Sequence, residues 1–206
     1  MAFTIISLSP VIHGQNQSKK ALLVIDVQEN LLKTNFKLHM DPSYVPSFLE
    51  NLNKSIKTFE TNNQLVIYTV NEWTNSILNT LSGNVCKKGG PGTGIDSRVN
   101  IVDEKVYHKS RMSAFTNKDV ERYLKNESIT ELYITGLLAE ACVKETLKAA
   151  LSSNYKVVII EDAVGSKNET KKLKSIHYYK KSGVEVIYAD QLENYIQQTH
   201  TLKINN

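Results

Sequence analysis

Short apolar runs alternate with longer amphipathic segments along most of the chain, and this alternation restricts the fold more than any other feature. Six runs are continuous and rich in β-branched residues, as strands are when both faces of a parallel sheet are buried. They are ALLVIDV (21–27), QLVIYTV (64–70), EKVYH (104–108), ELYIT (131–135), KVVIIED (156–162) and VEVIYA (184–189). Strands that alternate with helices form parallel sheets through right-handed crossovers. The sequence therefore predicts an α/β fold, a three-layer α/β/α sandwich around a mainly parallel, doubly wound sheet of six strands.

The chain shows no internal division. Its 206 residues are enough for one domain with a buried core, and no repeat, low-complexity tract or linker interrupts the pattern. We therefore predict a single domain over residues 1–206, with residues 1–18 as an N-terminal extension ahead of the first strand. The longest irregular region, residues 71–100, joins the second and third strands.

Charge and cysteine usage argue against several classes of protein. The formal net charge of +4 comes from lysines scattered among acidic residues, so no nucleic-acid partner is expected. The opening MAFTIISLSPVIHG has no basic residue before its apolar run, and no stretch approaches the roughly 18 apolar residues of a membrane span. The only cysteines, Cys86 and Cys142, are too few for a disulfide framework and fit a reducing compartment. We expect a soluble, cytoplasmic protein with no membrane partner.

Three reactive side chains follow predicted strands, at the edge where open α/β sheets bind ligands. Asp26 ends the first run, Lys109 follows the third, and Cys142 follows the fourth at the opening turn of a helix. Each alone has an ordinary alternative. An aspartate can cap a helix, a lysine can be an exposed surface residue, and a buried cysteine can act as a small hydrophobe. Because the carboxyl ends of parallel strands share one edge of the sheet, the three together indicate a site.

A carboxylate, an ammonium and a thiol in one site can hydrolyse an amide-like bond. A thiol attacks as a thiolate, which a helix N-terminus and a nearby ammonium both stabilise, and Cys142 would have both. Asp26 could accept the thiol proton and later return it to a leaving amine. Backbone N–H groups of the LLAEAC segment could bind the oxyanion. The function implied is acyl transfer to water.

The same residues resemble those of the isochorismatase-like cysteine hydrolases, a family that includes nicotinamidase, N-carbamoylsarcosine amidase and related small-amide hydrolases. The segments that carry the resemblance are ALLVIDVQ, KKGGPGTGI, HKSRMSAF, TGLLAEACVKETLKAAL and VVIIEDAVGS. They extend from about residue 20 to residue 190, in the order and with the spacing of the family. The resemblance therefore covers nearly the whole chain.

The resemblance implies a role for each member of the trio. Cys142 is the nucleophile that forms a thioester acyl-enzyme, Asp26 is the general base and acid, and Lys109 is the electrostatic partner of both. It also implies a non-proline cis peptide bond at Leu137–Leu138, with the backbone N–H groups of Leu138 and Cys142 as the oxyanion hole. The expected partners are a small-molecule substrate and further copies of the chain, in a homo-oligomer that is a dimer or a tetramer.

Two departures from the family pattern bear on the chemistry. Members that bind a metal carry an Asp with two nearby histidines after the second strand, whereas YTVNEWTNSILNT contains no histidine. We therefore expect no metal and no other cofactor. Glu140 stands where Asp or Asn is common, and its charge would oppose a thiolate at Cys142 unless its side chain points away.

Four further residues are candidates for the substrate pocket: Gln28, Trp73, Phe115 and Leu137. Trp73 follows the second strand, where a substrate wall is expected, although it could instead anchor the loop. Gln28 could orient the site or simply begin a helix. The sequence indicates no role for Cys86, which lies in the long loop.

Other functions stay open on the sequence alone. An isochorismatase would cleave a vinyl ether with Asp26 as the acid and would need no thiol, and a non-catalytic member of the family would only bind a ligand. The complete trio argues against both. A dinucleotide-binding protein is disfavoured because no G-x-G-x-x-G follows the first strand, and GGPGTG lacks the Lys-Ser/Thr ending of a phosphate-binding loop.

Overall fold

A computed structural model describes the backbone of residues 19–201 and the side chains of residues 19–197. The predicted N-terminal extension, residues 1–18, lies outside the described residues. The strands are β1 (Lys19–Ile25), β2 (Leu65–Asn71), β3 (Val106–Lys109), β4 (Ile129–Gly136), β5 (Lys156–Val164) and β6 (Glu185–Ile187). The helices are α1 (Val45–Thr61), α2 (Ser76–Ser82), α3 (Lys118–Asn126), α4 (Lys144–Ser152), α5 (Glu169–Lys181) and α6 (Leu192–Thr201). A π-helical turn, Ala139–Val143, leads into α4.

The six strands form one sheet in the order β3-β2-β1-β4-β5-β6, and every neighbouring pair is parallel. This confirms the predicted α/β fold with its doubly wound sheet. The chain runs outward from β1 to β3 on one side and from β4 to β6 on the other. The direction of winding therefore reverses between β1 and β4. Ligands of such sheets bind outside the carboxyl ends of the strands at this reversal.

The sheet separates two apolar cores, because alternate residues of a strand point to opposite faces. From β1, Leu22 packs on one face with Leu52 of α1. The next residue, Leu23, packs on the other face with Leu147 of α4. Burying a side chain of this size stabilises the fold by about 1.5–3 kcal/mol. Helices thus cover both faces of the sheet and form the three predicted layers.

The end of β4 packs against β1 at a point where only glycine fits. Gly136 has φ +107°, and a Cβ there would overlap the carbonyl oxygen of Ile25. The backbone N–H of Leu137 donates to the same oxygen at 2.7 Å. This close approach fixes the start of the β4–α4 connection beside the end of β1, and so brings Cys142 toward Asp26.

Asparagine side chains cap the N-termini of three helices. Asn75 caps α2, Asn117 caps α3 and Asn168 caps α5, each by accepting a hydrogen bond from a backbone N–H of the first turn. Replacing such a cap by alanine typically costs about 1 kcal/mol. The caps hold α2 and α3 close to the ends of β2 and β3. None of the helices within the described range is both long enough and apolar enough to cross a membrane.

Candidate active site

The carboxylate of Asp26 lies fully buried just beyond the end of β1. Its Oδ1 accepts a hydrogen bond from Thr69 Oγ1 at 2.9 Å, and its Oδ2 lies 2.7 Å from Lys109 Nζ. Asp26 has φ +51°, a left-handed conformation that costs a non-glycine residue about 1–2 kcal/mol. Such strain persists only where the surrounding structure enforces it, and it collects at functional sites. The fold thus enforces an unusual backbone to place this carboxylate.

Lys109, the last residue of β3, extends past β2 to reach the same point. Its buried ammonium donates hydrogen bonds to the carbonyl oxygens of Arg111 at 2.9 Å and Met112 at 2.8 Å and forms an ion pair with Asp26 Oδ2 at 2.7 Å. Burial alone would lower the pKa of this ammonium, but the charge of Asp26 and the neighbouring Cys142 outweigh burial and raise the pKa above its ordinary value. Lys109 is therefore a permanent cation in the site.

Cys142 lies in the π-helical turn between β4 and α4 and is 9% exposed. Burial raises the pKa of its thiol above the ordinary value, Asp26 raises it further, and Lys109 lowers it by less. The thiol is therefore protonated in the resting site. Lys109 lowers the pKa of the thiol, as the sequence predicts, but desolvation is the largest contribution in this state. Deprotonation of the thiol therefore needs a base, and the carboxylate of the trio, Asp26, can serve as one.

The backbone before Cys142 has the form that the resemblance implies. The peptide bond between Leu137 and Leu138 is cis. The N–H of Leu138 finds no acceptor in the part of the chain that the structure describes, whereas that of Leu137 donates to Ile25. Cys142 lies in the π-helical turn, in which the N–H groups of Ala141 and Val143 donate to the carbonyl oxygen of Leu138. The N–H groups of Leu138 and Cys142 are the donors proposed for an oxyanion.

Glu140, two residues before the thiol, is directed toward the loop after β5. Its Oε2 accepts from Ser166 Oγ at 2.7 Å, and its Oε1 lies 3.4 Å from the backbone nitrogen of Lys167 and 3.8 Å from Lys171 Nζ. A cation and two hydrogen-bond donors thus offset its charge. This arrangement removes the conflict with Cys142 that the sequence raises.

The side-chain amide of Gln28 hydrogen-bonds to the backbone of two other segments of the chain. Its Nε2 donates to the carbonyl oxygens of Asn71 at 3.1 Å and Thr93 at 2.5 Å, and its Oε1 accepts from the backbone N–H of Asn71 at 3.0 Å. Gln28 is 0% exposed and stands at the N-cap of a short 3-10 turn, and its amide joins the end of β2 to the loop at Thr93. Cys86, for which the sequence indicates no role, is buried with its sulfur 3.9 Å from the same Oε1. Burial above all raises the pKa of the Cys86 thiol to about 12.

Two of the predicted pocket residues lie in the cores. Phe115 is 8% exposed and packs with its ring 5.8 Å from the ring of Tyr155, in the same apolar layer as Cys142. Leu137 is fully buried in the opposite layer, on the side of α1. Neither is among the residues that line the cavity described next.

A cavity of about 460 Å³ opens at the carboxyl ends of the strands. Its apolar lining is Leu38, Trp73, Leu78, Leu81 and Met112. Three cations also line it, Lys37, Arg111 and Lys167, and no carboxylate of the described residues does so. The cavity adjoins the trio through Arg111 and Met112, whose carbonyl oxygens bind the Lys109 ammonium, but Asp26, Lys109 and Cys142 are not among its lining residues. Of the four predicted pocket residues, Trp73 is the one that lines this cavity.

Two residues of β2 that the sequence did not single out also belong to the site. Thr69 hydrogen-bonds Asp26, and Asn71, the last residue of the strand, places its Nδ2 3.9 Å from Cys142 Sγ. The order of the strands is the feature that places Thr69 and Asn71 in the site. Because β2 lies between β1 and β3, its end has to lie between Asp26 and Lys109.

The side chains in the loop after β2 that could act as metal ligands contact other parts of the protein. The Glu72 carboxylate lies 3.3 Å from His108 Nδ1, and the Asn75 side chain caps α2. Among residues 19–197, no group of three or more His, Cys, Asp or Glu side chains is arranged to hold a metal ion. The expectation of a metal-independent site stays a prediction.

Comparison with known proteins places this geometry in a family. A family model described as Isochorismatase domain matches residues 20–191. N-carbamoylsarcosine amidase of an Arthrobacter species is 32% identical over 74 residues, which are 35% of this chain and only 28% of that protein. Ureidoacrylate amidohydrolase of Klebsiella pneumoniae subsp. pneumoniae is 23% identical over 171 residues, 70% of this chain and 72% of that protein. The structure of nicotinamidase PncA from Bacillus subtilis aligns with a TM-score of 0.70 and 25% identity, covering 82% of this chain and 99% of the other. Since the family model spans most of its length, this chain belongs to the isochorismatase family.

Proposed function

We propose that this chain is a cysteine-dependent hydrolase that cleaves a small amide or carbamoyl-type C–N bond through a thioester acyl-enzyme. The observation that carries the proposal is the buried ion pair of Asp26 and Lys109, 2.7 Å apart, beside the Cys142 thiol. Burying two charges is costly even when they are paired, so such a pair at the ligand-binding edge of the sheet favours a chemical use. The names of the relatives, an amidase and an amidohydrolase, support the type of bond.

In the first step, Asp26 accepts the thiol proton as Cys142 Sγ attacks the substrate carbonyl carbon. The S–C bond forms, and the π electrons of the carbonyl move to oxygen. The backbone N–H groups of Leu138 and Cys142 stabilise the oxyanion. Lys109 keeps its proton, because its two carbonyl acceptors and its ion pair with Asp26 favour the charged form. Its charge therefore stabilises Asp26 before the transfer and the negative charge on the substrate and sulfur afterwards.

In the second step, the oxyanion re-forms the carbonyl and the C–N bond breaks. The proton held by Asp26 moves to the leaving nitrogen, so that ammonia or an amine departs and a thioester remains. Water then enters, and Asp26 accepts one of its protons as the oxygen attacks the thioester carbon. The C–S bond breaks, and the proton on Asp26 returns to Cys142. Each cycle consumes one water and restores both groups.

The cavity supports a particular class of substrate. Its apolar walls suit a small apolar or aromatic body, and Trp73 offers a face for stacking. Its three cations, without a lining carboxylate among the described residues, favour a substrate that carries a negative charge. We therefore propose an anionic amide or ureido compound as the substrate class.

We further propose that the enzyme works without a metal or other cofactor, as a homo-oligomer in the cytoplasm. Two free, buried cysteines fit a reducing compartment. The donors after β2, a histidine-paired glutamate and a capping asparagine, make a poor transition-metal set. Activity that survives exhaustive chelation is the expected result, and loss of activity restored by zinc, iron or manganese would contradict it.

The proposed function is tested by replacing the nucleophile. Cys142→Ala and Cys142→Ser should each lower kcat/KM by at least about 1000-fold on the best substrate from a panel of small amides, ureido acids and isochorismate. Ammonia and pyruvate are measured separately, and intact mass after rapid quench should show an acyl adduct on the wild-type protein. Cys86→Ala is the matched control and should keep its acyl adduct. Near-wild-type release of pyruvate by Cys142→Ala would replace the proposal with vinyl-ether cleavage by Asp26.

A further inference from the structure

Asn71 has a buried polar atom that the folded chain does not satisfy. The residue ends β2 and is 2% exposed. Its Oδ1 has no hydrogen-bond donor within the described part of the chain, and its Nδ2 lies 3.9 Å from Cys142 Sγ. Buried polar groups are almost always paired, so an unpaired acceptor beside a nucleophile points to a partner that arrives with the ligand.

The backbone of Asn71 is fixed on both sides. Its N–H donates to Gln28 Oε1 at 3.0 Å, and its carbonyl oxygen accepts from Gln28 Nε2 at 3.1 Å. The strand register also sets Asn71 beside Lys109 of β3. The side chain is therefore held at the sulfur by one buried glutamine and one strand pairing. The unpaired Oδ1 therefore belongs to a strand residue whose backbone is hydrogen-bonded on both sides.

We infer that Asn71 Oδ1 accepts a hydrogen bond from the N–H of the scissile amide and that Asn71 is a substrate-contacting residue of this hydrolase. The inference rests on the proposed function, because only a C–N substrate brings that donor. In the tetrahedral intermediate the nitrogen becomes pyramidal and gains a lone pair. An N–H held by Asn71 fixes the direction of that lone pair, which must face the proton on Asp26. The Nδ2 group meanwhile donates toward the sulfur as it becomes negative.

An amide and an ester of the same acid separate this role from a merely structural one. Both substrates use Cys142, Asp26 and the oxyanion donors, but the ester has no N–H for Asn71 Oδ1. The value of kcat/KM reports the steps up to acylation, so it compares the two leaving groups directly. Asn71→Leu keeps the size but removes both the Oδ1 acceptor and the Nδ2 donor beside the sulfur, so it should slow both substrates. The loss of kcat/KM should be at least about 20-fold greater for the amide than for the ester.

Two further variants complete the test. Asn71→Asp keeps an acceptor oxygen but adds charge near the thiol, so it should slow both substrates while leaving the amide-to-ester ratio within about fivefold of wild type. Asn79 is also buried with an unpaired Oδ1, and its Nδ2 binds the Trp73 carbonyl oxygen instead of the sulfur. Asn79→Leu should therefore leave the ratio unchanged.

Equal losses on amide and ester in Asn71→Leu would overturn the inference, and so would a ratio that falls equally in Asn79→Leu. Thermal unfolding of each variant shows whether the fold persists. If Asn71→Leu does not fold, a ratio shifted more than about tenfold in Asn71→Asp overturns the inference on its own. A wild-type protein that acylates with neither substrate refutes the proposed function instead, so the two failures are distinguishable.

Discussion

Lys109 carries the charge that allows Asp26 and Cys142 to share one buried site. Its side chain and that of Asp26 are both 0% exposed. When one member of a buried ion pair is removed, the charge of the other is uncompensated, which typically costs about 3–5 kcal/mol. Lys109 is also the cation that lowers the pKa of the Cys142 thiol against the effects of burial and Asp26. One residue thus links the stability of the fold to the state of the nucleophile.

Lys109→Met keeps much of the bulk of the side chain and removes the cation. We expect the free energy of unfolding to fall by about 3–5 kcal/mol, and the pKa of Cys142 to rise further above its already raised value. Urea unfolding measures the first effect, and the pH dependence of alkylation at Cys142, followed by peptide mass, measures the second. The double variant Asp26→Asn/Lys109→Met removes both charges and should recover part of the lost stability. An alkylation profile that does not move to higher pH would show that the ammonium does not act on the sulfur.

At the residue scale, the identity of the trio could be predicted from sequence but its ionisation could not. Asp26, Lys109 and Cys142 each follow an apolar run, and a strand end is a local feature that one chain displays. The protonation state of Cys142 depends on desolvation, which the surrounding layers create only in three dimensions. For the same reason, no sequence pattern indicates that Glu140 turns to Ser166.

At the scale of elements, the sheet order decides which side chains meet. The alternation of runs predicts six strands and a parallel sheet, but the order of the strands within the sheet is known only from the structure. Once β2 lies between β1 and β3, Thr69 and Asn71 stand between Asp26 and Lys109. Neither residue has a sequence signal of its own, because threonine and asparagine are ordinary at strand ends. All six strands could therefore be predicted, whereas the contribution of β2 to the site could not.

The loops after β1, β3 and β5 bring Lys37, Arg111 and Lys167 to one cavity, and this arrangement predicts a preference for anionic substrates. Arg111→Gln should lower kcat/KM for an anionic substrate roughly tenfold, which corresponds to about 1.4 kcal/mol, and should change a neutral amide of similar size little. The carbonyl oxygen of Arg111 that holds Lys109 is unaffected, because it belongs to the backbone. Initial rates are measured for both substrates at low and high salt, and the preference should weaken as ionic strength rises.

A matched control comes from α3, where Arg122 pairs with Asp119 at 2.7 Å and lies outside the cavity lining. Arg122→Gln should leave the preference between the anionic and the neutral substrate unchanged. An equal loss on both substrates in Arg111→Gln would indicate that the side chain supports the wall of the cavity instead of attracting charge.

At the scale of the whole molecule, the cavity opens beside an exposed apolar surface. Exposed fractions are 67% for Ile77, 46% for Leu78 and 67% for Leu81, all on α2, and 50% for Met112 across the cavity. Clustered apolar side chains of this size on a folded protein usually mark a contact surface. The proposed homo-oligomer therefore predicts that a second copy of the chain covers α2 and completes the outer wall of the cavity.

Leu81→Glu tests this arrangement, because it places a charge in the centre of the α2 surface without touching either core. We expect light scattering at tens of micromolar protein to give the mass of a dimer or a tetramer for the wild type and a lower mass for Leu81→Glu. Because Leu81 also lines the cavity, the mass and not the activity is the readout for this variant. Leu173 on α5 is similarly exposed at 57% and lies away from the cavity lining, so Leu173→Glu is the matched control and should keep the wild-type mass and activity. A monomeric wild type would contradict the oligomer. An oligomer that Leu81→Glu leaves intact would place its interface on another face of the molecule, and the outer wall of the cavity would then be formed by a single chain.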